Sequence, residues 1–332
     1  MGYQFLPISE NIGGLFISPQ PYSELFMKIL GIILLIIGLV GLYYGPYEIY
    51  CFYLFSSGGP FYYEGFQIGS SWFAYLTIQN AAYYVVAFLL LPIGIGTFKL
   101  QNWARKLSLN LLYMWIILGI SIMSSFIFAL PEFLKTLNLT LATVILLVMA
   151  LFGIVIPAVL IKIYKSNKVK TVFKNKSENW IERIPQTILL VCSLNIIFIL
   201  ILHASTLFLY IFPLFGKFIF QRESVIYVTM AVFILAILTY GFWKKYFLAF
   251  YGLILYYGLM LISVIMTFSQ YSLLDVIGLL NFPSYEQNYI IPVSSFLNFN
   301  LTALFGSFLV LTLLSIIYSR KYFHNTSLKV HK

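Results

Sequence analysis

Charge is what this 332-residue sequence has least of: Asp, Glu, Lys and Arg together supply 9% of it. A soluble domain needs about a quarter of its residues charged to cover its surface. Mean hydropathy is +0.94 and 61% of the residues are hydrophobic, so the main solvent must be lipid. That balance excludes intrinsic disorder and a coiled coil. Cysteine is scarce too. Cys51 and Cys192 lie far apart and form no CxxC, which excludes a disulfide scaffold and gives no zinc or redox motif. Catalytic patterns are missing as well: there is no P-loop, HExxH or Ser-His-Asp arrangement, and no Asp-x-Asp pair of the kind lipid-linked glycosyltransferases carry. No enzymatic activity is expected, with an enzyme acting on a lipid-soluble substrate as the third reading after the two given below.

Histidine is as sparse as cysteine. His203 is the single one within an apolar run, while His324 and His331 sit in the basic tail. Haem needs an axial pair in its common b-type form, and a metal needs several ligands, so no cofactor and no metal site are expected. The first 23 residues contain no Lys or Arg, and Leu6 stands where a myristoylation signal has Ser or Thr. The first apolar run is therefore read as a retained membrane helix.

A span of about 20 apolar residues crosses a hydrocarbon core about 30 Å thick. Eight stretches free of charged residues meet that length: 29–47, 65–98, 107–131, 136–161, 184–216, 224–243, 246–274 and 287–319. Trimmed of polar and Pro-containing ends, the longest leave spans at 79–98, 186–206, 247–268 and 297–318. None alternates as a barrel strand would. The expected fold is all-α: a polytopic membrane protein of eight transmembrane helices.

The net charge of +10 is explained by placement, not by a nucleic-acid partner. With the N-terminus inside, 17 of the 20 basic residues fall on inner connections and three, Lys135, Lys217 and Arg222, fall outside. That bias orients a multi-pass chain in the cell membrane with both termini cytoplasmic. Four helices then precede, and four follow, a basic linker. The expected division is a repeat over 1–165, a linker over 166–183 and a second repeat over 184–332, ending in a basic tail at 320–332. Three pairings support parallel duplication: Lys28 with Arg183, Trp103 with Trp243, and Tyr164 with Tyr318, at offsets of 155, 140 and 154.

Within this frame the two faces differ. The inner turns hold Trp103, Arg105 and Lys106, and Trp243, Lys244 and Lys245, residue types that anchor helices in the headgroup layer. The segment 162–183 interleaves apolar residues with six lysines, and is expected to lie on anionic lipid. The outer connections 46–78 and 270–296 are long, aromatic and acidic. They carry Glu48, Glu64, Tyr62, Tyr63 and Trp72 in one, and Asp275, Tyr285 and Glu286 in the other, with no basic residue over 46–78 or 271–296. Ring-rich surfaces of low charge suit a protein partner.

No Asp, Glu, Lys or Arg falls at mid-depth of a span, which argues against an ion-driven carrier. Gln79, Asn80, Asn110, Asn195, Asn298 and Asn300 are read as interhelical glue, and Gly41-Leu-Tyr-Tyr-Gly45 as a weak packing motif. Two Asn-Leu-Thr sequons, at Asn138 and Asn300, lie too near helix ends to favour glycan attachment. The expected function is non-catalytic: an anchor or accessory subunit for an exported or peripheral partner, an electron-transfer assembly being one setting. The alternative is a passive channel or carrier for a neutral, anionic or hydrophobic small molecule.

Overall fold

The computed structural model describes residues 21–63, 70–136, 138–173, 179–205, 211–280, 286 and 300–323. In chain order these form α1 (Pro21–Phe55), α2 (Ser71–Phe98), α3 (Asn102–Thr136), α4 (Leu139–Lys165), α5 (Asn167–Val172), α6 (Trp180–Arg183) and α7 (Gln186–Ala204). A hairpin of β1 (Phe212–Leu214) and β2 (Lys217–Ile219) follows, then α8 (Gln221–Trp243), α9 (Phe247–Phe268), α10 (Leu273–Leu279) and α11 (Leu301–Tyr318). Among the described residues eight helices, α1 to α4, α7 to α9 and α11, are long and apolar enough to cross a membrane. The chain is a multi-pass integral membrane protein.

Four of them, α7, α8, α9 and α11, close into a ring around the largest core, where Leu194, Phe242, Leu253, Tyr257 and Leu309 are shut off from solvent. Helix α3 docks on this ring along α11 and α7, and carries α4 and the end of α2 on its other sides. Hydroxyls make the α3–α11 seam. Ser124 Oγ donates to the Ala303 carbonyl at 3.1 Å and Ser125 Oγ to the Asn300 carbonyl at 2.9 Å. Against α4 the contact is closer still, since a Cβ on Gly119 would lie 2.5 Å from the Gly153 carbonyl oxygen. Helix α4 makes room with a π-turn at Leu151–Val155: Ile156 N–H bonds Leu151 O, and the freed Phe152 carbonyl accepts the Trp115 indole N–H at 3.1 Å.

Helices α1 and α2 form a hairpin of their own. Between residues 32 and 55 the buried positions of α1 are Gly38, Gly41 and Gly45, all facing α2. Gly31 continues the row, and a Cβ there would lie 2.6 Å from the Phe98 backbone nitrogen. The spacing of 31, 38 and 45 is two helical turns, so one bare stripe lets the backbones meet. The hairpin is fastened to the rest at one end, where Met27 packs with Leu109, Ile161, Tyr164, Val169 and Phe173.

That end is the basic one, holding the α2–α3 and α8–α9 turns, and the two turns share one geometry. In the first, Leu100 has φ 55°, its N–H bonds Thr97 O at 3.0 Å, and Gln101 N–H bonds Gly96 O at 2.8 Å. In the second, Lys245 has φ 61°, its N–H bonds Phe242 O at 2.9 Å, and Tyr246 N–H bonds Gly241 O at 2.8 Å. Both are Schellman closures with a non-glycine residue in the left-handed position. A Cβ on Gly96 would meet the Ala104 methyl, and one on Gly241 the Ala249 methyl, at 2.6 and 2.8 Å. These turns pair Lys99 with Lys244 at an offset of 145, and not Trp103 with Trp243. At the far end, Asn138 caps α4 through Leu141 N–H and Asn300 caps α11 through Ala303 N–H, each at 2.8 Å. Both caps open the run Asn-Leu-Thr, at an offset of 162.

Two expectations about connections are corrected. Residues 46–55 belong to α1 and 71–78 to α2, so the loop expected over 46–78 can occupy no more than 56–70, of which 64–69 lie outside the described residues. Pro46 forfeits one backbone bond without ending α1, because the glycine face still packs on α2 and Asn80 Nδ2 donates to the Gly45 carbonyl at 2.8 Å. Part of the connection expected over 270–296 is helix α10, and residues 281–285 and 287–296 lie outside the described ones. The β-hairpin at 212–219 was not expected. Its two-residue turn has Phe215 at φ 42° and Gly216 at φ 93°, the primed geometry that matches strand twist. Ser263 Oγ accepts Phe215 N–H and Thr267 Oγ1 accepts Gly216 N–H, both at 3.0 Å, pinning the turn to α9.

Candidate functional site

The far end of the α1–α2 hairpin is the most distinctive surface. Lys28 and Glu48 are 20 residues apart on α1, about 30 Å at 1.5 Å per residue, which is one hydrocarbon thickness. Seven further residues carry α1 to Phe55, about 10 Å beyond that level. The rings of Tyr47, Tyr50, Tyr53, Phe61, Tyr62, Tyr63, Trp72 and Tyr75 are exposed there. Helical spacing sets the row Tyr43, Tyr47 and Tyr50 on one side, with the Tyr43 and Tyr47 rings stacked at 6.3 Å. Trp72 and Tyr75 meet edge to face at 6.0 Å on α2.

The acidic residues expected beside these rings take separate places. Glu48 faces α2, where Gln79 Nε2 donates to its Oε1 at 3.3 Å and to the Tyr83 hydroxyl at 2.7 Å. Asp275 closes a capping box at the start of α10, accepting from Ser272 N–H and Ser272 Oγ at 2.7 Å each. Those bonds hold its carboxyl below the usual carboxylate range. Glu286 is corrected from a surface contact to a buried one. It is 2% exposed and its Oε2 accepts Ser71 N–H at 2.9 Å. A carboxylate is favoured there because the first N–H groups of α2 have no partner within the helix. Glu64 and Tyr285 lie outside the described residues.

At the basic end, Arg105 and Lys106, expected as headgroup anchors, are half-buried and donate to protein carbonyls. Lys106 Nζ donates to the Glu182 carbonyl at 2.9 Å and also to the Ile184 carbonyl. Arg105 donates from Nε to Asn102 Oδ1 at 3.0 Å and from a terminal nitrogen to the Tyr164 carbonyl at 3.3 Å. Asn102 Nδ2 donates to Glu182 Oε2 at 2.8 Å. The reason is local: α6 and the residue after it lay carbonyls over the start of α3. Trp103 Nε1 bonds Gln101 Oε1 at 2.7 Å. Trp243 packs on Trp180 with centroids 5.6 Å apart, and Lys244 lies over the Tyr240 ring. Lys245 supplies the left-handed turn residue.

Inside the ring of helices, Asn195 is fully buried and bonded on both sides. Its Nδ2 donates to Thr239 Oγ1, and its Oδ1 accepts the Tyr257 hydroxyl, each at 2.8 Å. Asn110 Nδ2 donates to Ser193 Oγ at 2.8 Å, joining α3 to α7. A cleft of about 300 Å³ opens at the far end between α3, α9 and α11, lined by Phe128, Glu132, Phe268, Gln270, Tyr271 and Asn300. His203 sits exposed at the end of α7 with Nδ1 3.1 Å from the Ile199 carbonyl.

Sequence reasoning placed Tyr47, Tyr50 and Tyr53 in the aromatic outer connection with Trp72, and missed that α1 carries them, after Tyr43, as a helical row. Their spacing of three and four residues was the available signal, hidden because the charge-free run ended at Glu48 and the rest was read as loop. No protein-family model, no curated protein and no solved structure matches this chain.

Proposed function

We propose that this protein is a non-catalytic membrane anchor or accessory subunit, holding an exported or peripheral protein on the aromatic head of the α1–α2 hairpin. One observation carries the reading: α1 continues well past one hydrocarbon thickness and ends in a cluster of exposed rings. A helix that only crosses lipid has no need of those extra turns. Large rings on a rigid helical stem lose little conformational entropy when a partner covers them. The aromatic head lies at the end opposite the basic turns, so the charge bias that faces basic connections to the cytoplasm of a cell membrane faces the head outward. Among the described residues, the buried amides Asn195 and Asn110 each donate across a helix pair, which favours the anchor over the channel.

The shared turns at Leu100 and Lys245, with the shared caps at Asn138 and Asn300, support a tandem duplication whose units are α1–α4 and α7–α11. The test of function is co-purification in mild detergent of wild type against a triple Tyr50→Ser, Tyr53→Ser, Trp72→Ser variant. The anchor predicts a stoichiometric protein lost from the variant while the bundle's melting is kept. Wild type that comes out alone, with solute flux in proteoliposomes, gives the channel reading instead. Orientation is checked with an impermeant thiol reagent on intact cells, which should label Gly58→Cys and not Lys170→Cys.

A further inference from the structure

At its far end the helical bundle leaves a cleft of about 300 Å³ that the anchor reading does not use. That volume lies at the lower end of small-molecule pockets, about 300–1,000 Å³. The walls stand at the last turns of α3 and α9 and the first of α11, where hydrocarbon gives way to headgroups. Phe128 on α3 is 67% exposed and gives the cleft an apolar lip, while the exposed Gln270 gives it a polar one. These walls are held before any ligand arrives. Phe218 of the β-hairpin meets the Phe268 ring at 5.3 Å and the Tyr271 ring at 5.0 Å, both edge to face. Phe305 stacks on Phe268 from another side at 5.5 Å. Asn300 is fixed twice, its carbonyl accepting from Ser125 Oγ and its Oδ1 from Ala303 N–H. Unspent among the described residues is a mixed polar set: the Asn300 amide nitrogen, the Gln270 amide and the Tyr271 hydroxyl. The first donates, and the other two each donate and accept.

Charge narrows the ligand. Among the described residues no Lys or Arg lines the cleft, so no cation there faces an anion. Glu132 is the acidic residue of the lining, and Lys135 Nζ already donates to its two oxygens at 2.8 and 2.7 Å. A cation therefore meets a carboxylate whose charge is balanced, although that carboxylate keeps lone pairs for hydroxyl donors. Fixed rings beside unspent donors and acceptors, with no net charge, match a molecule that has C–H faces and many hydroxyls. We propose that the cleft binds a neutral polyhydroxylated group, a sugar ring or a comparable polyol, carried on a lipid or free in water.

The test uses the full chain in phosphatidylcholine nanodiscs. In one arm the nanodiscs are doped with a monoglycosyl diacylglycerol, and the lipids retained by the protein are read by native mass spectrometry. In the other, methyl glucoside, methyl galactoside and inositol are titrated, and saturation transfer from protein to sugar is measured by NMR. Enrichment of the glycosyl lipid over phosphatidylcholine of the same chains assigns the lipid-borne source, and saturation transfer without that enrichment assigns the free one. Gln270→Ala and Tyr271→Phe should each weaken the bound probe about fivefold, the worth of one hydrogen bond. Helical content and melting should not change, and Gly58→Ala, remote from the cleft, should bind as wild type. Wild type that holds neither probe better than the Gln270→Ala, Tyr271→Phe double variant overturns the proposal, as does enrichment of phosphatidylglycerol in place of the glycosyl lipid. The cleft lies on the bundle and not on the hairpin head, so a failure here leaves the anchor reading to its own pull-down.

Discussion

Four residues, Tyr257, Asn195, Lys245 and Asp275, show how local constraints are settled in this chain. Tyr257 and Asn195 share one buried bond at 2.8 Å, and Asn195 spends an N–H of its amide on Thr239. Tyr257→Phe removes the donor and leaves Asn195 Oδ1 in an apolar core, at a cost of about 1 kcal/mol in membrane helices. A lower midpoint of denaturant unfolding in detergent, with unchanged helical content, is the expected result. Lys245 holds φ 61° as an L residue, a conformation disfavoured by about 1–2 kcal/mol. Lys245→Gly should therefore raise thermal stability, and Lys245→Val should lower it. Asp275 is different, because its bonds are to Ser272 alone. Its carboxyl titrates below the ordinary 3.8, so the capping box contributes above that value and is lost only as pH falls through the depressed one. Labelled-carboxyl NMR should find Asp275 still ionised at pH 4, and amide protection of α10 should fall only below that.

At the scale of elements, the glycine row of α1 decides whether the hairpin exists. Gly31→Leu drives a side chain onto the Phe98 backbone, and overpacking of that kind costs about 1–3 kcal/mol. Gly58, with nothing within 4 Å of an added Cβ, is the control. Gly31→Leu should abolish disulfide formation between cysteines placed at Gly45 and Tyr84, whereas Gly58→Ala should not. This row was legible in the sequence as glycine at 31, 38 and 45, although only the pair 41 and 45 drew notice. The eight spans were legible because a charged residue cannot be left in hydrocarbon, so each chain-end of a helix is marked. The tops of α1 and α2 were not, because beyond Glu48 neither charge nor hydropathy separates a ring-rich helix from a ring-rich loop. The β-hairpin escaped for a related reason. Its turn needs φ above zero at Phe215, a residue that gives no such signal.

For the whole molecule, the question is what holds the α1–α2 hairpin to the body at each end. At the basic end the answer is ample: Met27 and Leu30 enter a shared cluster, and α1 packs on α5. At the far end a carboxylate, Glu286, reaches Ser71 N–H across 215 positions of sequence. No spacing rule pairs those residues, so this part of the candidate site was not legible. Its energetic role follows from burial. Glu286 is 2% exposed, and removing it strips a charge from the unpaired N–H groups at the start of α2. Since Ser70 still caps Phe73 N–H at 3.0 Å, the helix itself should persist. The loss should instead appear as freedom of the hairpin head. With spin labels at Tyr75 and Leu279, Glu286→Ala should broaden the distance distribution by electron–electron resonance, whereas Glu286→Gln, which keeps an acceptor oxygen, should stay near wild type. If both variants match wild type, the carboxylate is a passenger, and the head is held by packing alone. If both broaden equally, charge at the helix start matters more than the bond. In the expected case, partner capture by the aromatic head should fall with Glu286→Ala and survive Glu286→Gln, because a swinging head presents its rings without fixed spacing.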